Sequence, residues 1–125
     1  QYLLAVDRNN TRVASLYNSY HPSVLGALYD IVQKANASQT PVTICGEIAG
    51  EPAGALLLMG MGYRRLSMNG FNLRKINWLL RKGTLSECKQ LLSLALTSSS
   101  QQEVFTHINE YLETKELAGL IRAGA

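Results

Sequence analysis

Residues 41–52 read Pro41-Val42-Thr43-Ile44-Cys45-Gly46-Glu47-Ile48-Ala49-Gly50-Glu51-Pro52, and the order of residue types in this stretch decides the fold class. Val42, Thr43 and Ile44 are β-branched and suit a pleated strand, and the run is bounded by Pro41 and Gly46. It is predicted as a short buried strand that ends in a thiol, Cys45. Glu51 and Pro52 then read as the first turn of a helix, where a missing proline N–H costs nothing and the dipole favours a carboxylate. Leu56, Leu57, Leu58 and Met59 continue that helix, and Gly60 and Gly62 are expected to end it.

Upstream, Val24, Leu25, Leu28, Ile31, Val32 and Ala35 recur at helical spacing behind Pro22, which predicts an amphipathic helix over 22–37. Downstream, Arg65-Leu66-Ser67-Met68 reads as a second short strand. Asn69 and Gly70 turn the chain into a helix over 72–81, with Leu73, Ile76, Leu79 and Leu80 as its apolar stripe. Two further helices are announced by capping-box spacings, Thr84 with Glu87 and Ser100 with Glu103. Leu85, Cys88, Leu92 and Ala95 share one face of the first, and Val104, Ile108, Tyr111 and Leu112 one face of the second.

The order α-β-α-β-α, with strands apolar on both sides, predicts an α/β fold whose parallel strands are joined by right-handed crossovers. Two strands cannot make a doubly covered parallel sheet alone. The chain therefore either associates with another copy or forms part of a larger β/α structure whose other strands lie upstream.

The 125 residues suit one folding unit, and 46% hydrophobic with 17% charged residues is the composition of a packed globular protein. A net charge of +3 and pI near 9.0 arise from scattered basic residues, densest at Arg74, Lys75, Arg81 and Lys82, so no nucleic-acid partner is expected. The most apolar stretch, 53–61, is too short to span a bilayer, and no membrane partner is expected either. Gln1 to Asp7 carry neither a basic n-region nor a small-residue cleavage site, so no signal peptide is read there. The two cysteines, Cys45 and Cys88, share no metal or redox spacing, and a reduced, cytoplasmic protein is the expectation.

Cys45 is the candidate for chemistry. Active-site residues of β/α barrels collect at the C-terminal ends of parallel strands, and a thiol there, followed by glycine and a helix N-terminus, can act as acid or nucleophile beside an anionic substrate. A buried cysteine that merely closes a strand is the bland alternative. Cys88, between leucines, reads as core. His21 reads as a capping or exposed residue before Pro22, and His107 as solvated. Arg64 and Arg65 follow a helix rather than a strand end and read as solvated, while Trp78 reads as packing.

The segment Cys45-Gly46-Glu47-Ile48-Ala49-Gly50, after a β-branched strand, resembles the active-site cysteine segment of the phosphoenolpyruvate-utilising enzymes. Gln1-Tyr2-Leu3-Leu4-Ala5-Val6-Asp7-Arg8 resembles the tail of that superfamily's other signature, G-[ST]-N-D-L-T-Q, apolar residues, a small residue and arginine. Within the superfamily, the run from Ala5 to Asn9, Leu57 to Gly62, Leu66-Ser67-Met68 and Ile76 resemble enzyme I of the phosphotransferase system more than pyruvate phosphate dikinase, with an enzyme of the dikinase or phosphoenolpyruvate synthase type as the alternative. The resemblance covers residues 1 to about 113. It implies that the chain, as a single unit 1–125, is the C-terminal portion of a TIM-type (β/α)8 barrel with extra C-terminal helices, itself mostly α with two short parallel strands.

The resemblance also implies a reaction: phosphoenolpyruvate gives its phosphoryl group to a histidine of the enzyme, which passes it to a histidine-containing phosphocarrier protein, and pyruvate is released. Cys45 matches the family's proton donor and Arg8 its substrate-contacting arginine. Asp7 then orients Arg8 or caps a turn, and Glu47 hydrogen-bonds backbone near the site. Mg2+ is implied for the full-length parent, with its ligands upstream of Gln1 and none within this chain. A homodimer is implied as well. Glu51-Pro52 and the polar tail after Leu112 lean towards the nitrogen-related branch of enzyme I. A non-catalytic module whose helices from Thr84 onward mediate self-association is the rival expectation.

Overall fold

The computed structural model describes residues 1–117 and 119. The polar tail on which the branch assignment leans lies partly outside the described residues. Among the described residues a 3-10 turn at Ala14–Leu16 is followed by six helices: α1 Pro22–Ala37, α2 Glu47–Gly50, α3 Pro52–Met61, α4 Gly70–Lys82, α5 Leu85–Thr97 and α6 Gln101–Thr114. The expected α/β character is reduced accordingly, and the architecture is mostly helical.

Helix α3 is the centre. Every residue in it except Met59 is buried, the pattern of a helix enclosed on all sides. It packs most extensively against α5, with α1, α2 and α4 around the remainder. The expected stop at Gly60 is wrong, because Gly60 is an interior position of α3. A Cβ there would lie 2.3 Å from the backbone oxygen of Cys88, so the glycine exists to let α5 approach. The helix ends two residues later, at the other expected stop, Gly62, in left-handed conformation at φ 109°.

The two expected strands are the larger correction. Among the described residues they are represented by one parallel bridge, Ile44 with Leu66. Ile44 N donates to the Arg65 carbonyl at 3.1 Å, and Ser67 N donates to the Ile44 carbonyl at 2.8 Å. Parallel pairs are stable mainly inside sheets covered on both faces. Here the pairing persists only where both side chains reach the core, Ile44 buried and Leu66 packed against it, while Thr43 and Cys45 on either side are exposed.

Caps behave largely as their sequences require. Thr84 and Glu87 form both halves of a capping box. Ser100 accepts from Glu103 N at 3.3 Å, but the Glu103 carboxylate turns to Ser99, accepting from its N at 2.7 Å and its Oγ at 3.0 Å, so the second box is only half made. His21 is the N-cap of α1, its Nδ1 accepting from Ser23 N at 3.2 Å. The apolar stripes narrow on folding. Ile31, Leu73 and Leu85 are exposed, and α5 buries Cys88, Leu91, Leu92 and Ala95 instead.

Candidate active site

Cys45 follows the bridging residue Ile44 directly, so the one rigid backbone pairing in this region fixes where the thiol begins. The chain then turns at Gly46, at φ 95°, a conformation a Cβ would strain. The four-residue α2 carries Glu47 past the thiol, and Glu51 links it to α3. The long helix read from Glu51-Pro52 starts there, at Pro52, while the short α2 before it was not expected.

The opposite wall comes from the start of α4. Asn69 is its N-cap, and its Oδ1 accepts from Asn72 N at 2.9 Å. Between the walls is an open cleft of about 450 Å³, lined by Cys45, Glu47, Glu51, Ser67, Asn69 and Asn72, among others. Gly50 matters to its shape, since a Cβ there would lie 2.7 Å from the Asn72 side-chain nitrogen.

The cysteines separate by environment. Cys45 is exposed to the cleft and Cys88 is buried in the core, both as free thiols. Burial, followed by the neighbouring Glu87 carboxylate, pushes the Cys88 thiol up and keeps it protonated and inert. Glu47 lines the cleft beside Cys45.

Glu51 has the most fixed geometry in the cleft. It occupies the N-cap position of α3 yet its side chain caps nothing. Its carboxylate instead accepts a hydrogen bond from the hydroxyl of Tyr20, a residue only 6% exposed. Burial first, and the Glu51 carboxylate second, push the Tyr20 phenol far above its ordinary value, so it remains a donor. Glu51 reads as a helix-start carboxylate, but its pairing with Tyr20, 31 positions earlier, is hidden in the sequence. Asn69 was visible as a turn residue, but its place in the wall opposite Cys45 was not.

Arg8 is exposed and is not among the residues lining the cleft. Its backbone N donates to Gln1 Oε1 at 3.0 Å, and Asp7 caps the same turn by accepting from Asn9 N at 2.9 Å. The two candidate residues are thus not brought together within this chain. Arg64 donates to the carbonyl of Tyr63 at 3.2 Å, serving the end of α3 rather than a site. Trp78, expected to pack, lies 47% exposed with Lys82 Nζ 5.9 Å from its ring centroid. Among the described residues no three of the His, Cys, Asp and Glu side chains are grouped to hold a metal ion. The Mg2+ implied for the full-length parent therefore has no such ligand set within the described residues. No helix among them is long and apolar enough to cross a membrane.

Comparison with known proteins agrees with the local pattern. The family described as PEP-utilising enzyme, PEP-binding domain, matches residues 1–85. The chain is similar to the phosphoenolpyruvate-dependent phosphotransferase system protein of Salmonella typhimurium, 43% identical over 124 residues, which are 99% of this chain and 17% of that protein. The Escherichia coli protein of the same description is 42% identical over the same shares. The phosphoenolpyruvate-protein phosphotransferase of Borreliella burgdorferi is 39% identical over 112 residues, 90% of this chain and 20% of that protein. The chain spans about a fifth or less of the length of these relatives.

Proposed function

We propose, from the premise that this chain belongs to the PEP-binding domain family of the PEP-utilising enzymes, that it supplies the proton-donor side of a phosphoenolpyruvate-dependent phosphotransferase site. The observation that carries the reading is the exposed Cys45 thiol at the end of the parallel bridge, on the wall of a cleft able to admit a small carboxylate. The single parallel pair, flanked by α1, α3 and α4, is what two neighbouring β/α units leave when their companion strands belong to other parts of a barrel. We assign the chain to the C-terminal part of a TIM-type barrel on that ground.

In the parent protein, phosphoenolpyruvate loses its phosphoryl group to a histidine and leaves the enolate of pyruvate. The Cys45 S–H proton passes to C3, the enolate electrons reform the ketone, and the thiolate recovers its proton from solvent. A thiol is an acid strong enough to yield its proton to a carbon base such as an enolate. Arg8 can hold substrate carboxylate or phosphate oxygens in its planar fork once other parts of the parent complete the site. The phosphocarrier protein, a homodimer, cytoplasmic location and the metal with its ligands belong to the same proposal.

The test is exchange of pyruvate methyl protons with deuterated solvent, catalysed by the full-length parent. Cys45→Ala should slow exchange by about 10² to 10⁴, the usual share of general acid catalysis, with the fold intact. Cys45→Ser should restore little, because a hydroxyl is a far weaker acid. Exchange at the wild-type rate in the alanine variant would remove Cys45 from the reaction and favour a purely structural role for the segment.

A further inference from the structure

The Tyr20–Glu51 pair crosses from the core to the wall of the Cys45 cleft, and nothing in the proton-transfer scheme uses it. Glu51 sits at the junction of α2 and α3, so whatever fixes its side chain fixes the end of the turn that begins at Cys45. Tyr20 is itself held on three sides. Its backbone N donates to Asn18 Oδ1 at 2.8 Å, its ring lies against Phe105 of α6 with centroids 4.7 Å apart, and its hydroxyl reaches Glu51. A buried phenol satisfied by a cleft carboxylate is an anchored donor, since without the exposed Glu51 the Tyr20 O–H would be a buried donor with no acceptor. Simple packing would be met by phenylalanine. The hydroxyl also meets the backbone N–H of Gly54, so both of its partners, Glu51 and Gly54, belong to the start of α3.

We infer that Tyr20 is a positioning residue for this site, pinning Glu51 and with it the Gly46–Glu51 turn that presents the Cys45 thiol to the cleft. The inference rests on the reading of Cys45 as the acid only for its catalytic consequence. The positioning itself is a property of the fold.

Two measurements on the full-length parent separate these levels. Amide hydrogen exchange over residues 47–51 should quicken by about tenfold in Tyr20→Phe while amides of α5 are unchanged, because only the local opening is made easier. Phenylalanine keeps the ring contact with Phe105, so the variant is expected to fold. In the pyruvate proton-exchange assay, Tyr20→Phe should lower kcat about tenfold with KM within twofold, as expected for a displaced reacting group rather than lost binding. Glu51→Gln should retain several-fold more activity than Glu51→Ala, since its amide oxygen still accepts the Tyr20 hydroxyl. The double variant Tyr20→Phe/Glu51→Ala should be no slower than the slower single. Unchanged amide exchange and kcat in Tyr20→Phe overturn the inference, as does a double variant whose losses multiply. If Cys45→Ala exchanges protons normally while Tyr20→Phe still frees the turn, the acid assignment fails and the positioning stands.

Discussion

Gly60 illustrates how much a single position decides. A sequence reading takes it as a helix stop because glycine weakens helix interiors, yet α3 continues through it. The space it leaves is filled by the Cys88 carbonyl, 2.3 Å from where a Cβ would stand. Backbone on backbone cannot yield as a flexible side chain can, so Gly60→Ala must push α3 and α5 apart. We expect a loss of about 1–3 kcal/mol, the usual cost of overpacking, outweighing the helix propensity that alanine adds. Urea unfolding of the full-length parent, compared with wild type, checks it, and a neutral or stabilised variant would contradict the geometry. Cys45 is the opposite case. Its position after a β-branched run and before Gly46 is legible from neighbours in the chain, since the features that set it lie within two residues.

The junction of α5 and α6 shows what an element contributes beyond its own sequence. Thr84 and Glu87 make a capping box that local spacing announces. The folded chain adds Lys115 from beyond α6, its Nζ 2.5 Å from Glu87 Oε1, and Tyr111, whose hydroxyl faces the same carboxylate at 3.5 Å. The Lys115 hydrogen bond first, and Thr84 second, hold the Glu87 carboxyl down at about 2. Burial, and then the Glu87 charge, push Tyr111 up to about 12, so the phenol stays protonated over ordinary pH. A carboxyl depressed in the folded state binds fewer protons there than when unfolded, so its contribution is present above the ordinary carboxylate value and is lost as pH falls from about 4.5 to about 2. Glu87→Gln should flatten the acid limb of stability against pH in that window while leaving neutral-pH unfolding cooperative. Thermal melts of both proteins across pH 2–5 would show it, and parallel acid limbs would count against the assignment.

At the scale of the whole chain, the proposed site is not assembled among the described residues. Cys45 and Arg8 are not brought together, and no metal ligand set is grouped among the described residues. The isolated 125-residue chain is therefore expected to show no micromolar affinity for phosphoenolpyruvate in calorimetric titration, where such affinity would correspond to about −8 kcal/mol. The apolar groove between α1 and residues 42–45, about 360 Å³ and walled by Val24, Leu28, Ile31, Val42 and Ile44, borders the bridging residue Ile44, which pairs on one side alone among the described residues. Open edges and uncovered apolar surface drive association, so analytical ultracentrifugation of the isolated chain should find dimers or larger species. A compact monomer melting well above the usual mesophile range of about 45–65 °C would refute this.

The sequence by itself determined helices α1, α3, α4, α5 and α6, the caps at His21, Thr84 and Ser100, and the break in the chain at Gly46 behind the thiol. Each follows from hydrogen bonds, torsional preferences or periodicity acting over a few residues. Its tertiary structure alone decided that Gly60 lies inside a helix, that Ile31, Leu73, Leu85 and Trp78 face outward, and that two expected strands meet at one bridge. It also decided that Tyr20 reaches Glu51. Those outcomes depend on which surfaces meet in space, and a periodic stripe states only that a face is apolar, never what covers it.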